Sequence, residues 1–282
     1  MDNRLYVALL TTFALIAFAA NSVICRMALG EAAIDPASFS TIRLATGAVV
    51  LWLIVKTSPG VKADKHPGSW WSAAMLFLYA VAFSFAYVSL NAGMGALILF
   101  GTVQATMITA GLLKGERPHV LAWCGLLVAL AGLVYLVLPG LEAPSFSGAA
   151  LMTVAGFAWG VYSLRGLGIT NPVAVTADNF IGSAPLAVVV SLILLPSLKL
   201  SSGGVLLAAL SGGLTSGIGY VVWYAALRHL SATRAAMLQL LVPIIAAAGG
   251  VLLLSERVTL RLILAGILII GGVGLTLKAK QY

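Results

Sequence analysis

The chain consists almost entirely of apolar runs of about 20 residues, separated by short stretches that carry glycine, proline or charge. A run of that length can cross the hydrocarbon core of a bilayer as an α-helix. Hydrophobic residues make up 61% of the 282 and charged residues 9%, whereas a soluble domain has about 25% charged residues. The sequence therefore predicts an integral membrane protein with little chain left for a soluble domain.

Breaks at proline, glycine clusters and charges divide these runs into ten predicted transmembrane helices. Helices are expected because a chain in lipid must satisfy its backbone hydrogen bonds internally. The ten lie near residues 5–29, 36–56, 70–90, 94–113, 119–138, 147–165, 173–195, 203–226, 234–254 and 260–277.

The net charge of +8 is scattered between the apolar runs, without the basic stripe that follows a nucleic-acid backbone. We expect no nucleic-acid partner. Cytoplasmic loops of membrane proteins retain Lys and Arg, and most of these residues fall on one side if the N-terminus is cytoplasmic. The pattern predicts that both termini are cytoplasmic, as in a protein of a bacterial inner membrane.

The two halves of the chain resemble each other, which predicts repeats over residues 1–140 and 141–282. The first helix imitates a signal peptide, but we expect it to be retained because Phe18-Ala19 and Arg26 have counterparts in Phe157-Ala158 and Arg165. Five spans per half is an odd number, so the second repeat is expected to be inverted in the membrane. Inverted repeats commonly place a solute site near the midplane. Further matching pairs are Leu90 with Leu230, Ala92 with Ala232, Ala96 with Ala236, Leu113 with Leu253, Glu116 with Glu256, Arg117 with Arg257 and Gly132 with Gly272.

Ala225-Ala226-Leu227, Pro243 and Leu254-Ser255-Glu256-Arg257 resemble the signature of the EamA family in the drug/metabolite transporter superfamily. The first half repeats the closing motif as residues 113–118, but has no proline near Val103 or Gln104. The resemblance implies an all-α integral membrane protein with ten transmembrane helices in two inverted five-helix repeats. Family members handle amino acids, nucleosides, sugars, sugar phosphates and drugs. Among them the chain is most similar to amino-acid exporters, including those for aromatic amino acids.

Polar amides deep in the apolar runs are candidate substrate contacts, because polar groups in a membrane face a cavity or another helix. Neutral amides suit a zwitterionic or uncharged solute, since they donate and accept without fixing a net charge. They can equally bridge two helices. These amides are Asn21, Gln104, Asn179 and Gln239.

Aromatic residues within the spans are candidate walls of a solute cavity. Trp159 is the leading one because it lies near the middle of its run, where its ring could stack on a solute or pack against a neighbouring helix. Trp70, Trp71 and Trp123 lie near helix ends, as interfacial anchors do. The full aromatic set is Tyr79, Phe83, Tyr87, Phe100, Trp159, Tyr162, Tyr220 and Tyr224.

Small residues and one proline are candidate conformational elements. Gly156 with Gly160, and Gly213 with Gly217, place glycines one turn apart, which allows close helix packing or sliding. Pro243 is expected to kink the ninth helix by removing a backbone donor.

Few charged residues lie inside the spans. Glu116 and Glu256 are expected to cap the helices that follow them. Arg43 is expected to snorkel towards the headgroups, and Asp178 to reach them. No clear mid-membrane carboxylate remains as an obligatory proton carrier.

These features favour an alternating-access transporter, an exporter by resemblance, of small neutral or zwitterionic solutes such as hydrophobic or aromatic amino acids. A drug, nucleoside or other metabolite transporter of the same fold remains open, as does a channel or a membrane scaffold. No metal-ligand or nucleophile motif is present, so we expect no enzyme activity, cofactor or metal. The expected partners are the lipid bilayer and the solute, and the oligomeric state is open, a monomer included.

Overall fold

The computed structural model describes residues 3–58, 68–113, 120–138, 143–166, 169, 171–227, 229, 238–239 and 241–279. The regular secondary structure in this part of the chain is helical, and the β contact found there is an isolated bridge between Ile34 and Leu200. The helices are α1 (Asn3–Gly30), α2 (Pro36–Thr57), α3 (Trp70–Tyr87), α4 (Ala92–Leu113), α5 (Val120–Val137), α6 (Phe146–Arg165), α7 (Pro172–Ile193), α8 (Ser202–Leu210), α9 (Gly219–Leu227), α10 (Val242–Leu254) and α11 (Leu260–Ala279).

Seven helical stretches in the described ranges are long and apolar enough to cross a membrane. They comprise α1 to α4, α6, α7 and the continuous stretch Ser202–Ala226. Three shorter apolar helices are Trp123–Leu136, Val242–Leu254 and Leu260–Leu275. The described part of the chain thus has the apolar helices of an integral membrane protein. The predicted span at 234–254 lies partly outside the described residues, and the count of ten and the inverted repeat stay predictions.

Several helices begin at residues whose side chains accept the first free backbone N–H groups. Asp35 accepts from the Ser38 amide at 2.8 Å and is followed by Pro36 at the first helical positions of α2. Asp35 also accepts from the amide of Lys199 at 3.1 Å. The turn before α2 is therefore fixed to the connection that leads into α8.

A π-helical turn, Ser211–Ile218, joins α8 to α9; we call it the π segment. It contains Gly212, Gly213 and Gly217, and it packs against α1 and α2. A Cβ at Gly212 would collide with the carbonyl oxygen of Arg43 and the hydroxyl of Thr46. Only glycine allows this backbone approach, so the π segment lies directly on α2.

Helix α6 packs against α3 and α4. A Cβ at Gly156 would lie 2.7 Å from Cβ of Thr102, and one at Gly160 would lie 2.9 Å from Cβ of Thr106. The predicted glycine pair is therefore at a close contact between α4 and α6, which is the packing that small residues allow in membranes.

Two prolines lie within helices of the described chain. Pro243 is in the first turn of α10, where the missing N–H would be unpaired in any helix, so it removes no hydrogen bond inside α10. Most of the predicted ninth helix before Pro243 lies outside the described residues, and the kink there stays a prediction. Pro185, which the prediction did not use, is inside α7.

Candidate solute-binding site

A small central cavity lies between α1, α3, α4, α6, the π segment and α9. Its volume of about 20 Å³ holds roughly one water molecule. None of the described residues that line it is acidic or basic. The lining consists of Phe18, Asn21, Ser22, Tyr79, Phe83, Leu99, Phe100, Trp159, Thr215, Ser216 and Tyr220.

Aromatic rings from three helices form one side of the cavity. The ring centroid of Trp159 is 4.9 Å from that of Tyr79 and 5.1 Å from that of Tyr220. Tyr79 also packs on Phe83 with a centroid distance of 5.3 Å. These separations are typical of favourable aromatic pairs, so the rings stabilise one another while the cavity is closed.

An amide and several hydroxyl groups form the other side. Oδ1 of Asn21 accepts from the hydroxyls of Ser211, at 2.6 Å, and Thr215, at 3.1 Å. Both acceptor bonds use Oδ1, so the amide nitrogen of Asn21 is the part of this side chain that can turn to a solute. The π segment supplies both hydroxyls, which explains why a polar surface occurs here.

Arg43 is buried directly behind this wall. The residue is 1% exposed, and the expectation that it snorkels to the headgroups is wrong. Its Nε donates to Oγ of Ser216 at 3.3 Å and its Nη2 to the hydroxyl of Tyr79 at 3.0 Å. Its Cζ lies 5.1 Å from the ring centre of Tyr79 and 5.0 Å from that of Phe83. These three partners of the guanidinium group all line the cavity.

A second, smaller cavity lies beyond Trp159. Tyr162 stacks on Trp159 at 5.5 Å, and Nδ2 of Asn179 donates to the hydroxyl of Tyr162 at 3.4 Å. The layer of Trp159 and Tyr162 separates the two cavities. The second one has a volume of about 10 Å³ and is lined by Ser72, Tyr162, Arg165, Gly166, Ile169, Val175, Thr176, Asn179 and Tyr224.

Near the C-terminal end of α1, Arg26 forms an ion pair with Glu256, and its Nε lies 3.2 Å from Oε1 of Glu256. Glu256 also accepts from the backbone amide of Ala92, at 2.9 Å through Oε2. Nη1 of Arg26 donates to the carbonyl groups of Tyr87 and Val88, both at 3.1 Å. We call these groups the clasp. Glu256 thus caps α4 rather than the helix that follows it, which corrects the prediction; Glu116 lies outside the described residues.

The structure brings six of the predicted contacts together at the central cavity: Asn21, Tyr79, Phe83, Phe100, Trp159 and Tyr220. Tyr162 and Tyr224 line the second cavity. Tyr87 packs edge-on against Phe83, and its hydroxyl donates to the carbonyl of Ala92. Gln104 is buried in α4, and Gln239 is half-buried; neither lines these two cavities.

Sequence reasoning misjudged Arg43 and missed five lining residues: Phe18, Ser22, Leu99, Thr215 and Ser216. One signal was available for the π segment: residues 211–217 are all Ser, Gly or Thr except Leu214, which makes this stretch polar and glycine-rich inside an apolar span. The described part of the chain also has a larger cavity of about 420 Å³ between α4, α10 and α11. Its lining is apolar, so it offers a polar solute no hydrogen bonds.

Comparison with known proteins agrees with a membrane transporter. The model of the EamA-like transporter family matches residues 146–278. An uncharacterized protein of Pseudomonas aeruginosa is 48% identical over 96% of this chain and 94% of its own length. The chain belongs to the EamA-like transporter family.

More distant relatives match over most of both chains. An uncharacterized transporter of Archaeoglobus fulgidus is 28% identical, over 97% of this chain and 98% of its own. The uncharacterized transporter YoaV of Bacillus subtilis is 25% identical over 88% of this chain and 89% of its own length. A crystal structure with 20% sequence identity has a TM-score of 0.68 and covers 96% of this chain and 97% of its own, which shows a shared fold.

Proposed function

We propose that the chain is an alternating-access exporter of hydrophobic or aromatic amino acids, with the central cavity as its solute site. In this proposal ten helices form two inverted five-helix repeats, and both termini lie in the cytoplasm of a bacterium. The bilayer is the inner membrane. Asn21 and the rings of Tyr79, Phe83, Phe100, Trp159 and Tyr220 contact the solute.

The observation that carries the proposal is the two-sided lining of the central cavity. Rings around Trp159 offer an apolar surface, while Asn21 and the hydroxyls of the π segment offer hydrogen bonds. Solute sites combine a mainly apolar wall with a few placed polar groups. An amino acid with a large apolar side chain matches both sides.

The cavity volume implies that transport needs movement. A space of about 20 Å³ admits roughly a water molecule, and an amino acid is many times larger. The rings must therefore separate before a solute can bind. Close glycine contacts between α6 and α4, and between the π segment and α2, are where helices could shift with little side-chain obstruction.

The two ends of the cavity differ in how they are closed. The clasp joins α1, α3 and α4 to the residues after α10 on one side. On the other side, the Trp159–Tyr162 layer separates the central cavity from the second one. With the predicted orientation, the clasp is the external closure and the ring layer the cytoplasmic one. Tyr162 and Tyr224 then lie on the route between cytoplasm and site.

The test is binding and counterflow by purified protein in liposomes, against L-tryptophan, L-phenylalanine, L-alanine and uridine. Trp159→Ala should weaken binding of the aromatic amino acids by about 1–3 kcal/mol, or roughly 5- to 150-fold, because a large apolar contact is lost. Trp159→Phe should lose less. Trp70, which is 73% exposed in the first turn of α3, provides a control in Trp70→Ala.

Equal affinity in Trp159→Ala and wild type would remove the cavity from the proposal. Counterflow of uridine without counterflow of any amino acid would instead favour a nucleoside carrier of the same fold. Absence of counterflow for every solute would contradict the proposed solute class.

A further inference from the structure

Arg43 is a buried cation without a carboxylate partner among the described residues. Its hydrogen bonds go to the hydroxyls of Ser216 and Tyr79, and its Nη1 has no hydrogen-bond partner in the part of the chain described. The ion pair in the described part of the chain joins Arg26 to Glu256 and does not involve Arg43.

An arginine in this position keeps its charge, because the guanidinium group does not lose its proton in proteins. Arg and Lys inside membrane spans pair with another group or face a cavity. Hydroxyl groups and ring faces stabilise a cation only in part, and an unpaired buried charge is costly. None of the described residues supplies the missing counter-charge, so an anionic group that enters the cavity is a candidate for it.

The position of Arg43 makes the central cavity its access to such a group. The hydrogen-bond and ring partners of its guanidinium group are Tyr79, Phe83 and Ser216, and all three line the cavity. The guanidinium group therefore lies directly behind side chains that form the cavity wall. When the rings separate, a small shift of Ser216 or Tyr79 exposes the guanidinium fork to that space.

We propose that Arg43 is the anion subsite of the central cavity and that the transported solute carries a carboxylate group. This inference rests on the proposed function and narrows its substrate class. The carboxylate accepts two parallel hydrogen bonds from the guanidinium fork, a geometry that arginine matches well. The apolar part of the solute then lies against the aromatic side of the cavity, where Trp159 packs on both Tyr79 and Tyr220.

The single charge favours a carboxylate over a phosphate group. Among the Lys and Arg side chains that the structure describes, Arg43 alone contacts a residue of this cavity. One cation balances the one negative charge of a carboxylate, whereas a phosphate monoester carries about −1.5 to −2 at neutral pH. None of the described lining residues carries a carboxylate that could pair with the amino group of the solute. We therefore expect this amino group to be dispensable for binding.

The experiment compares ligands that share one ring and differ in charge. Binding of L-phenylalanine, 3-phenylpropionate, L-phenylalaninamide, 2-phenylethylamine and 2-phenylethyl phosphate is measured on the full-length purified protein in lipid nanodiscs. Wild type should bind the two carboxylates roughly 10- to 150-fold more tightly than the amide and the amine, the range for a charged hydrogen bond. This comparison needs no variant and therefore does not depend on any variant folding.

Variants then assign the preference to Arg43. Arg43→Gln should remove the difference between acid and amine, and Arg43→Lys should keep part of it because the charge remains without the planar fork. Lys56→Gln is the control, because Lys56 lies at the exposed end of the same helix. It removes the same charge and should leave all affinities unchanged. A merely structural Arg43 would weaken every ligand alike and leave the ratios intact.

Three results would overturn the subsite: equal binding of acid, amide and amine by wild type, an unchanged acid preference in a folded Arg43→Gln, or tightest binding of the phosphate. In each of these three cases the protein still binds ring compounds, so the subsite is contradicted but the proposed function is not. If wild type binds none of the five and shows no counterflow of any amino acid, the proposed function and the subsite both fail.

Discussion

The surroundings of Arg26 and Arg43 differ in one decisive respect. Arg26, whose side chain is 23% exposed, is neutralised by Glu256 and also donates to two backbone carbonyls. Arg43 is 1% exposed and has hydroxyl and ring partners only. The more exposed cation thus has the stronger counter-charge. Stability alone would favour the opposite, with the carboxylate beside the more deeply buried arginine. This difference distinguishes Arg26, which has a structural role, from Arg43, which we propose binds the solute.

The magnitudes support this distinction. Moving a charge out of water costs several kcal/mol even after relaxation. Two charged hydrogen bonds return roughly 1.5–3 kcal/mol each, and a desolvated cation–π contact returns about 2 kcal/mol. The protein therefore offsets much of the cost at Arg43 without neutralising the charge. A carboxylate that arrives later gains the interaction that Glu256 already provides to Arg26.

Ser216→Asp should have the largest effect, because it gives Arg43 the permanent counter-charge that Arg26 has. The Ser216 hydroxyl is 3.3 Å from Nε of Arg43, within reach of an aspartate carboxylate. We expect binding of 3-phenylpropionate to fall roughly 100-fold or more through loss of a charged pair and repulsion by the new carboxylate. Calorimetry measures it, with Ser216→Asn as the uncharged control of the same shape.

Glu256→Gln makes the opposite change and should turn the clasp into a neutral contact. The Gln side chain can still accept from the Ala92 amide, so the loss is confined to the ion pair. We expect the apparent free energy of unfolding in mixed micelles to fall by about 1–2 kcal/mol, towards the low end for a charged hydrogen bond because the pair is partly exposed. Glu31→Gln, at an exposed position after α1, should have no effect; an equal loss there would show a nonspecific charge effect.

Gly212→Ala tests whether backbone packing maintains the surroundings of Arg43. The added Cβ would collide with the carbonyl of Arg43 and the hydroxyl of Thr46, so the π segment must move away from α2. Overpacking of this kind costs about 1–3 kcal/mol. We expect that loss in the unfolding titration, together with a weaker acid preference. Gly203→Ala is the matched control, because no atom lies within 4 Å of its added Cβ.

Asp178→Asn should have the smallest effect. Asp178 is exposed, and its Oδ2 accepts from the backbone amide of Gly68 at 3.2 Å. Loss of charge at an exposed site changes little, so counterflow at matched protein abundance should stay within about two-fold of wild type. Complete loss of flux in a correctly inserted variant would instead make Asp178 a coupling site. The protein would then have a functional charge that differs from both Arg26 and Arg43.

The apolar runs by themselves determined that this chain is a helical membrane protein, because their length and lack of charge permit no other folded state in water or lipid. They also placed most helix boundaries within a few residues of the observed ones. Trp159 could be selected because its depth follows from its position along one helix. Asn21 could be selected because an amide in an apolar run needs a partner or a cavity.

Only the tertiary structure decided which of these side chains meet. Arg43, Ser216 and Tyr79 come from α2, the π segment and α3, and no spacing in the sequence relates them. A lone arginine two turns into a helix is compatible with snorkelling or with burial. The choice depended on tertiary packing: Gly212 brings the π segment onto α2 at Arg43, and Ser216 of that segment accepts from the buried guanidinium group. Contacts between distant segments depend on how helices pack, and local sequence patterns constrain that packing only weakly.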